Sequence, residues 1–399
     1  MESRSPIRPF RMDIPGARIS DGQLTWPTHR VISTSAYRKS TYSIHITSSD
    51  HVAIGVLAAE IGSRAAAIVT DHKVDALYAA DISCRLADHG IKIRSIAIPE
   101  GERSKNLHTA YGLLDWLSQI DFERRDVLLA VGGGVVIDTA GWVASTYMRG
   151  VPYINVPTTL LAQVDAAIGG KVGVDHSSAK NLVGAFYQPS AVVSYVGYLA
   201  TLDPRQVRAG LAEVIKKAVI ASPQLFEFIE RQLGLVLALD PPVLLSLVQA
   251  ATAIKSRLVE RDPYETDLRR SLNFGHTVGH AVETATGYGP VLHGEAVAFG
   301  MAVALRIAAT RGLLDDATAM RIVNLLTAAG LPVRHQDLPS APRAEDVLAA
   351  LKKIRQVRDG GLRFVLPTGI GSTVVCDHVT DEEIRAAFHA PMPFGKGIR

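Results

Sequence analysis

Val127-Leu-Leu-Ala-Val-Gly-Gly-Gly-Val-Val-Ile-Asp138 runs from a continuous apolar segment through three glycines into a second apolar segment. The run Val127 to Val131 suits a strand buried on both faces, and the glycines let the chain turn tightly into a helix. A helix N-terminus after such a turn offers free N–H groups and the positive end of the helix dipole, which suit a phosphate. The spacing is neither G-x-G-x-x-G nor G-x-x-x-x-G-K-[ST]. Alone, the motif leaves two readings open: a bare strand-to-helix connection or a dinucleotide-binding turn.

Outward from this turn, strand and helix patterns alternate. Ala66 to Thr70 reads as a buried strand ending at Asp71, and a helical stretch follows through Leu86. Ile91 to Ile98 alternates like a second strand, and Asn106 to Ser118 has helical spacing with Leu107, Tyr111, Leu114 and Leu117 on one side. Such alternation predicts a parallel sheet covered by helices. Past about Thr201, helical patterns dominate (204–220, 223–233, 243–259, 277–286, 295–311 and 316–329), and only Leu362 to Leu366 and Ser372 to Val375 read as strands. We expect an irregular N-terminal extension over residues 1–40, where Pro6, Pro9, Pro15 and Pro27 prevent a long helix. An α/β domain over 41–203 and a helical domain over 204–399 should follow, with a cleft between them as the natural place for a site.

The 399 residues are 47% hydrophobic and 20% charged, a balance that excludes disorder for most of the chain. Lysine plus arginine numbers 42 and aspartate plus glutamate 39; the net charge of +3 does not argue for nucleic acid, but leaves anionic small molecules open. Cys84 and Cys376 are too few and too distant for a zinc ribbon or a disulfide framework, which points to a reducing compartment, the cytoplasm. No run of about 18 uncharged apolar residues predicts a membrane span, and the first 40 residues lack a signal-peptide centre.

Three further groups carry chemistry. Val156-Pro-Thr-Thr-Leu-Leu-Ala-Gln-Val-Asp165 sets the hydroxyls of Thr158 and Thr159 after a strand, with the Asp165 carboxylate beyond. Lys171, Lys180 and Asn181 stand in what reads as a glycine- and serine-containing loop, where paired lysines could bind a phosphate or carboxylate. His276 and His280 are one helical turn apart, with His293 shortly after. The string is not H-E-x-x-H, so a zinc-protease reading fails. Two histidines from here plus a carboxylate from elsewhere could still make a three-ligand zinc site. Glu213, in an otherwise apolar helical stretch, is a candidate, because a carboxylate is costly to bury unless paired or metal-bound.

In order along the chain, PEGERSKNL (99–107), GGGVVIDTAG (132–141), RGVPYINVPTTLLAQVDAAIGGK (149–171), KNLVGAFYQP (180–189), GLAEVIK (210–216), NFGHTVGHAVE (273–283) and HGEAVAFGM (293–301) resemble 3-dehydroquinate synthase and, more widely, the sugar phosphate cyclases. The resemblance implies a Rossmann-like NAD-binding α/β domain followed by an all-α metal-binding domain, usually as a homodimer. It implies that Glu213, His276 and His293 hold a catalytic zinc, for which cobalt can substitute. It implies that NAD lies against Asp71, Glu102, Lys105, Gly133, Gly134, Val135, Asp138, Thr158, Thr159, Lys171 and Lys180. Substrate contacts would fall on Asp165, Lys171, Asn181, Lys216, Lys255, Arg269, Asn273 and His280, while Arg149 matches an arginine that reaches into the partner subunit's active site. Lys171, Asn181, Arg149 and His280 would orient a phosphate; Lys255 and Arg269 would grip a carboxylate. The implied reaction converts 3-deoxy-arabino-heptulosonate 7-phosphate to 3-dehydroquinate and phosphate, by transient oxidation, β-elimination, reduction and aldol closure with no net redox change.

Some residues depart from the family pattern. Lys171-Val-Gly-Val-Asp-His-Ser177 stands where Lys-Thr-x-Val-Asn-His-Pro is common, so Asp175 adds negative charge near the expected phosphate region. Ile137 replaces a usual glycine, and Ile354-Arg355-Gln356 an Asp-Lys-Lys string. These mark a divergent member, and open two alternatives: a sedoheptulose 7-phosphate cyclase making a valiolone-type product, or a cyclase of the amino-substituted heptulosonate phosphate. Sedoheptulose phosphate cyclases typically lose the asparagine and second histidine of N-x-G-H-T-x-x-H. Asn273 and His280 are both kept, so the carboxylated substrate is the main expectation. Alternatives of another class are an NAD- and metal-binding protein without cyclase activity, and a relative of the iron-type alcohol or glycerol dehydrogenases.

Overall fold

The computed structural model describes residues 18–20, 23–25, 40–176, 179–265, 268–357 and 362–390, with the backbone alone at 18–20, 23–25, 179, 268 and 354–357. The chain divides into a unit up to Ser40 and a unit from Thr41 onward. In the first, Arg18–Ser20 pairs antiparallel with Gln23–Thr25, a small ordered feature where irregular chain is expected.

The second unit begins with a six-stranded sheet in the order 43–47, 191–195, 153–157, 127–132, 66–71, 93–98, every pair parallel. Val127–Gly132 is buried at every position, as its unbroken apolar run requires. The order reverses between Ala66–Asp71 and Val127–Gly132, and the C-terminal ends of strands at such a point frame a ligand crevice. The glycine turn and Asp71 both lie there. A Cβ on Gly133 would come within 3.1 Å of Thr159 Cγ2, so the turn is seated directly against the Thr158-Thr159 segment.

From Pro204 onward the structure is mainly helical. Pro204–Ala221, Pro223–Leu237 and Pro241–Arg261 share one start signal: Asp203, Ser222 and Asp240 each accept a backbone N–H as the cap, and proline follows where no N–H is needed. Pro241–Arg261 has the length and hydropathy (1.2) of a membrane span, but packs Leu244, Leu247, Val248, Ala251 and Val259 into the core. His293–Thr310 is buried from Gly294 to Ala308. It lies against its neighbours backbone to backbone: a Cβ on Gly294 would sit 1.9 Å from Ala209 O, and one on Gly300 2.0 Å from Gly275 O. These contacts bring the Pro204–Ala221 and His276–Ala285 helices to one place.

The structure corrects several expectations. Lys171 and Lys180 are not on a loop but on opposite strands of an antiparallel hairpin, Lys171–His176 with Ala179–Phe186. Gly173 faces Gly184 there, which lets the strands approach but weakens the strand pattern in sequence. The strands Ser43–Thr47 and Ala191–Tyr195 and the helices Ala344–Val357 and Asp381–His389 are additional to the elements read from sequence. Ser177 and the side chains at 354–356, including the Arg355 departure, lie outside the described residues.

Candidate active site

On the sheet side, the helix Gly134–Thr146 begins with no side-chain cap, leaving its first N–H groups open. Asp138, one turn in, meets Lys105: Nζ lies 2.5 Å from Asp138 Oδ2 and 2.5 Å from Asn181 Oδ1. Burial pulls the Lys105 pKa down, but Asp138 and Glu102 outweigh it and hold it above the ordinary lysine value. Asn181 sits at φ +52°, and Asp175 Oδ1 accepts its N–H at 2.8 Å. The departure at Asp175 therefore braces the hairpin that carries Asn181; its carboxylate is engaged locally. Thr158 Oγ1 is buried without a partner among the described residues, while Thr159 Oγ1 accepts the Ala162 N–H at 3.2 Å. Val135 is half-buried in the first turn of the helix. Asp71 caps the turn after its strand by accepting the N–H groups of Lys73 and Val74.

On the helical side, Glu213 is fully buried. Its Oε1 lies 3.6 Å from His276 Nε2 and 3.7 Å from His293 Nε2. Oε2 lies 2.5 Å from Lys216 Nζ, yet neither oxygen receives a well-formed hydrogen bond among the described residues. Those spans are too long for hydrogen bonds. They come close to the separation of about 3.3 Å expected between tetrahedral ligand atoms about 2.0–2.1 Å from one zinc. His276 Nδ1 stands 3.2 Å from Phe274 O. A carbonyl only accepts, so Nδ1 carries the hydrogen and the Nε2 lone pair faces Glu213. Burial, with Lys216 nearby, holds the His276 pKa well below its ordinary value, the neutral state a ligand needs. His280 completes a triad of imidazoles whose ligand atoms all lie within 4.8 Å of one another. The donor set fits a divalent cation.

Between these walls lies a charged cluster. Asp165 Oδ1 meets Lys217 Nζ at 2.8 Å and Oδ2 meets Lys255 Nζ at 2.9 Å; Lys255 also donates to Asp165 O at 2.6 Å. Burial would raise the Asp165 pKa, but Lys217, Lys255 and Lys216 reverse this and hold it well below the carboxylate range. Burial foremost draws Lys255 down to about 8. Arg269 is buried, with its guanidinium on main-chain carbonyls: Pro263 O at 2.9 Å and Gly169 O at 3.4 Å. Lys171 ion-pairs with Glu265, which also accepts Asn273 Nδ2 at 2.8 Å. Lys180 stands between Glu102 (2.8 Å) and Glu283 (3.1 Å).

The fold thus gathers Glu102, Lys105, Asp138, Lys180 and Asn181 into one network, and Asp165, Glu213, Lys216, Lys255, His276 and His293 around another. Arg149 stands apart. It is exposed at φ +65° after the helix, with no hydrogen-bond or ion-pair partner among the described residues. Sequence reasoning missed Lys217, Glu265 and Glu283. Lys217 was detectable as a second lysine beside Lys216 in an apolar helix, and Glu283 as a carboxylate two turns after His276.

Family models for the 3-dehydroquinate synthase N-terminal and C-terminal regions match residues 95–209 and 210–355. The chain belongs to the 3-dehydroquinate synthase family. Within its wider sugar phosphate cyclase group, it is 56% identical over 377 residues to 2-epi-valiolone synthase of Actinosynnema mirum, covering 94% of this chain and 99% of that one. It is 42% identical over 348 residues to 3-dehydroquinate synthase of Desulforamulus reducens, covering 87% and 96%. Among solved structures, it matches 2-epi-5-epi-valiolone synthase of Streptomyces hygroscopicus with NAD⁺ and Zn²⁺ bound, at a TM-score of 0.83 and 33% identity, over 89% of this chain and 98% of that one.

Proposed function

We propose that this family member closes sedoheptulose 7-phosphate into a valiolone-type carbocycle with release of phosphate, using NAD and a divalent cation, zinc or cobalt. The carrying observation is the 56% identity to a 2-epi-valiolone synthase against 42% to a 3-dehydroquinate synthase, each over most of the chain. The carboxylated heptulosonate phosphate is the second reading, favoured by the retained Asn273 and His280.

When bound, NAD and the cation supply the transient oxidation of one hydroxyl that acidifies the neighbouring C–H, and the return of those electrons after phosphate leaves. Glu213, His276 and His293 hold the cation, and the bare helix start at Gly134, flanked by Thr158 and Thr159, takes the dinucleotide. Lys171, Asn181 and His280 orient the substrate phosphate. Asp165, kept ionised by its lysines, accepts hydrogen bonds from substrate hydroxyls. Arg149, exposed and without a partner among the described residues, suits a reach into the site of a second subunit in a homodimer.

Three substrates turned over side by side with NAD and zinc test the reading: sedoheptulose 7-phosphate, 3-deoxy-arabino-heptulosonate 7-phosphate and its amino analogue. Phosphate release fastest from the first is the expected result. Faster release from the second restores the 3-dehydroquinate synthase assignment. Net NADH accumulation would indicate a dehydrogenase, and intact NAD and metal binding without release from any substrate would indicate a non-catalytic protein.

A further inference from the structure

The metal-site reading explains why Glu213 faces two imidazoles, but not what aims the second one. His276 is oriented by its own chain, through Phe274 O. His293 is the first residue of its helix, after a Leu292 that offers no polar side-chain cap, so its ring has no such local anchor. The anchor comes from another element. Glu283, buried on the His276–Ala285 helix, places Oε2 at 3.2 Å from His293 Nδ1. An ionised carboxylate can only accept, so Nδ1 carries the hydrogen, and Nε2 is the ring atom left on the Glu213 side, where a cation would take its lone pair. The other oxygen, Oε1, is held at 3.1 Å by Lys180 Nζ, which also reaches Glu102 at 2.8 Å and sits 5.0 Å from the centre of the Tyr288 ring. With both oxygens engaged, the carboxylate cannot rotate away from the imidazole.

We propose that Glu283 is the positioning residue of the metal site: it fixes the tautomer and direction of His293 and raises the basicity of that imidazole, while Lys180 braces it from the hairpin of the α/β half. A carboxylate behind a ligating histidine acts in this way generally, and its loss typically weakens metal binding about 10–100-fold. Glu283 thus ties metal affinity to a lysine on the Ala179–Phe186 strand of the hairpin. The inference rests on Glu213, His276 and His293 being the ligands.

Co²⁺ titrated into the metal-stripped protein, read by its visible d–d absorption and by competition with a chromophoric chelator, tests it without reference to turnover. Wild type should bind with tetrahedral-type absorption. Glu283→Ala should lose about 10–100-fold in affinity with an altered band. Glu283→Gln, whose amide oxygen still accepts from Nδ1, should lose several-fold and keep the band shape. Thermal unfolding, followed in parallel, reports folding; if the alanine variant does not fold, the glutamine variant decides. Unchanged affinity in Glu283→Gln together with an unchanged band and affinity in a folded Glu283→Ala would overturn the proposal. Glutamine-variant affinity equal to wild type would overturn it if the alanine variant is unfolded. Absence of Co²⁺ binding by wild type would instead overturn the metal reading beneath it.

Discussion

At the glycine turn, Gly133 rests against Thr159 and the helix start is left bare, whereas on the helical side Glu213 is sealed from water among two imidazoles and two lysines. One wall removes side chains and leaves main-chain donors open; the other concentrates charged side chains where each must find a partner. The first wall should tolerate changes that respect its shape and lose only binding. The second should respond sharply, because removing one member leaves its partners buried and uncompensated.

The largest expected effect is at the charged wall. His276→Ala should remove bound metal and turnover together; zinc still bound at one per chain would exclude His276 from the ligand set. Next is the spacing of that wall. Gly300→Ala forces a Cβ to within 2.0 Å of Gly275 O. Overpacking of this kind costs about 1–3 kcal/mol or more, and thermal unfolding should show the loss; an unchanged melting temperature would mean that the helices separate freely.

The bare wall comes next. A Cβ on Gly134 would meet only Ala166 Cβ, at 3.7 Å, so Gly134→Ala should melt as wild type does. Weakened NAD binding would then report a ligand at the turn, and undiminished binding would remove Gly134 from the contact. The smallest effect concerns pH. Lys255, drawn down to about 8 from 10.5, is protonated more readily in the unfolded chain. Stability relative to Lys255→Met should therefore rise as pH climbs through that interval. Urea titrations of both proteins at its two ends would show it; a flat difference would place Lys255 in a watery setting.

The sequence was informative where one residue type admits one explanation. The run into Gly132, short and closed by three glycines, suited a buried strand, and Glu213 inside an apolar helix had to be paired or metal-bound. It was weak where strands are short and glycine-bearing, as in the hairpin carrying Lys171 and Lys180, because glycine erases the alternating pattern while allowing close strand pairing. The elements of the site could be read in sequence, but their pairings could not. Lys180 stands between the carboxylates of Glu102 and Glu283, and Arg269 reaches the main-chain oxygens of Pro263 and Gly169, partners far away in sequence or hidden in the backbone. Which partner a long side chain takes depends on tertiary proximity.

The helix carrying His293 is seated on its neighbours at Gly294 and Gly300 without intervening side chains. Its position is thus gauged by the polypeptide itself, in the way a shaft is set by its bearing. Apolar residues around it can therefore change without altering the distance from His293 to the Pro204–Ala221 and His276–Ala285 helices. A helix held in this way sets the place of its first side chain, His293, by main-chain contact instead of by side-chain packing.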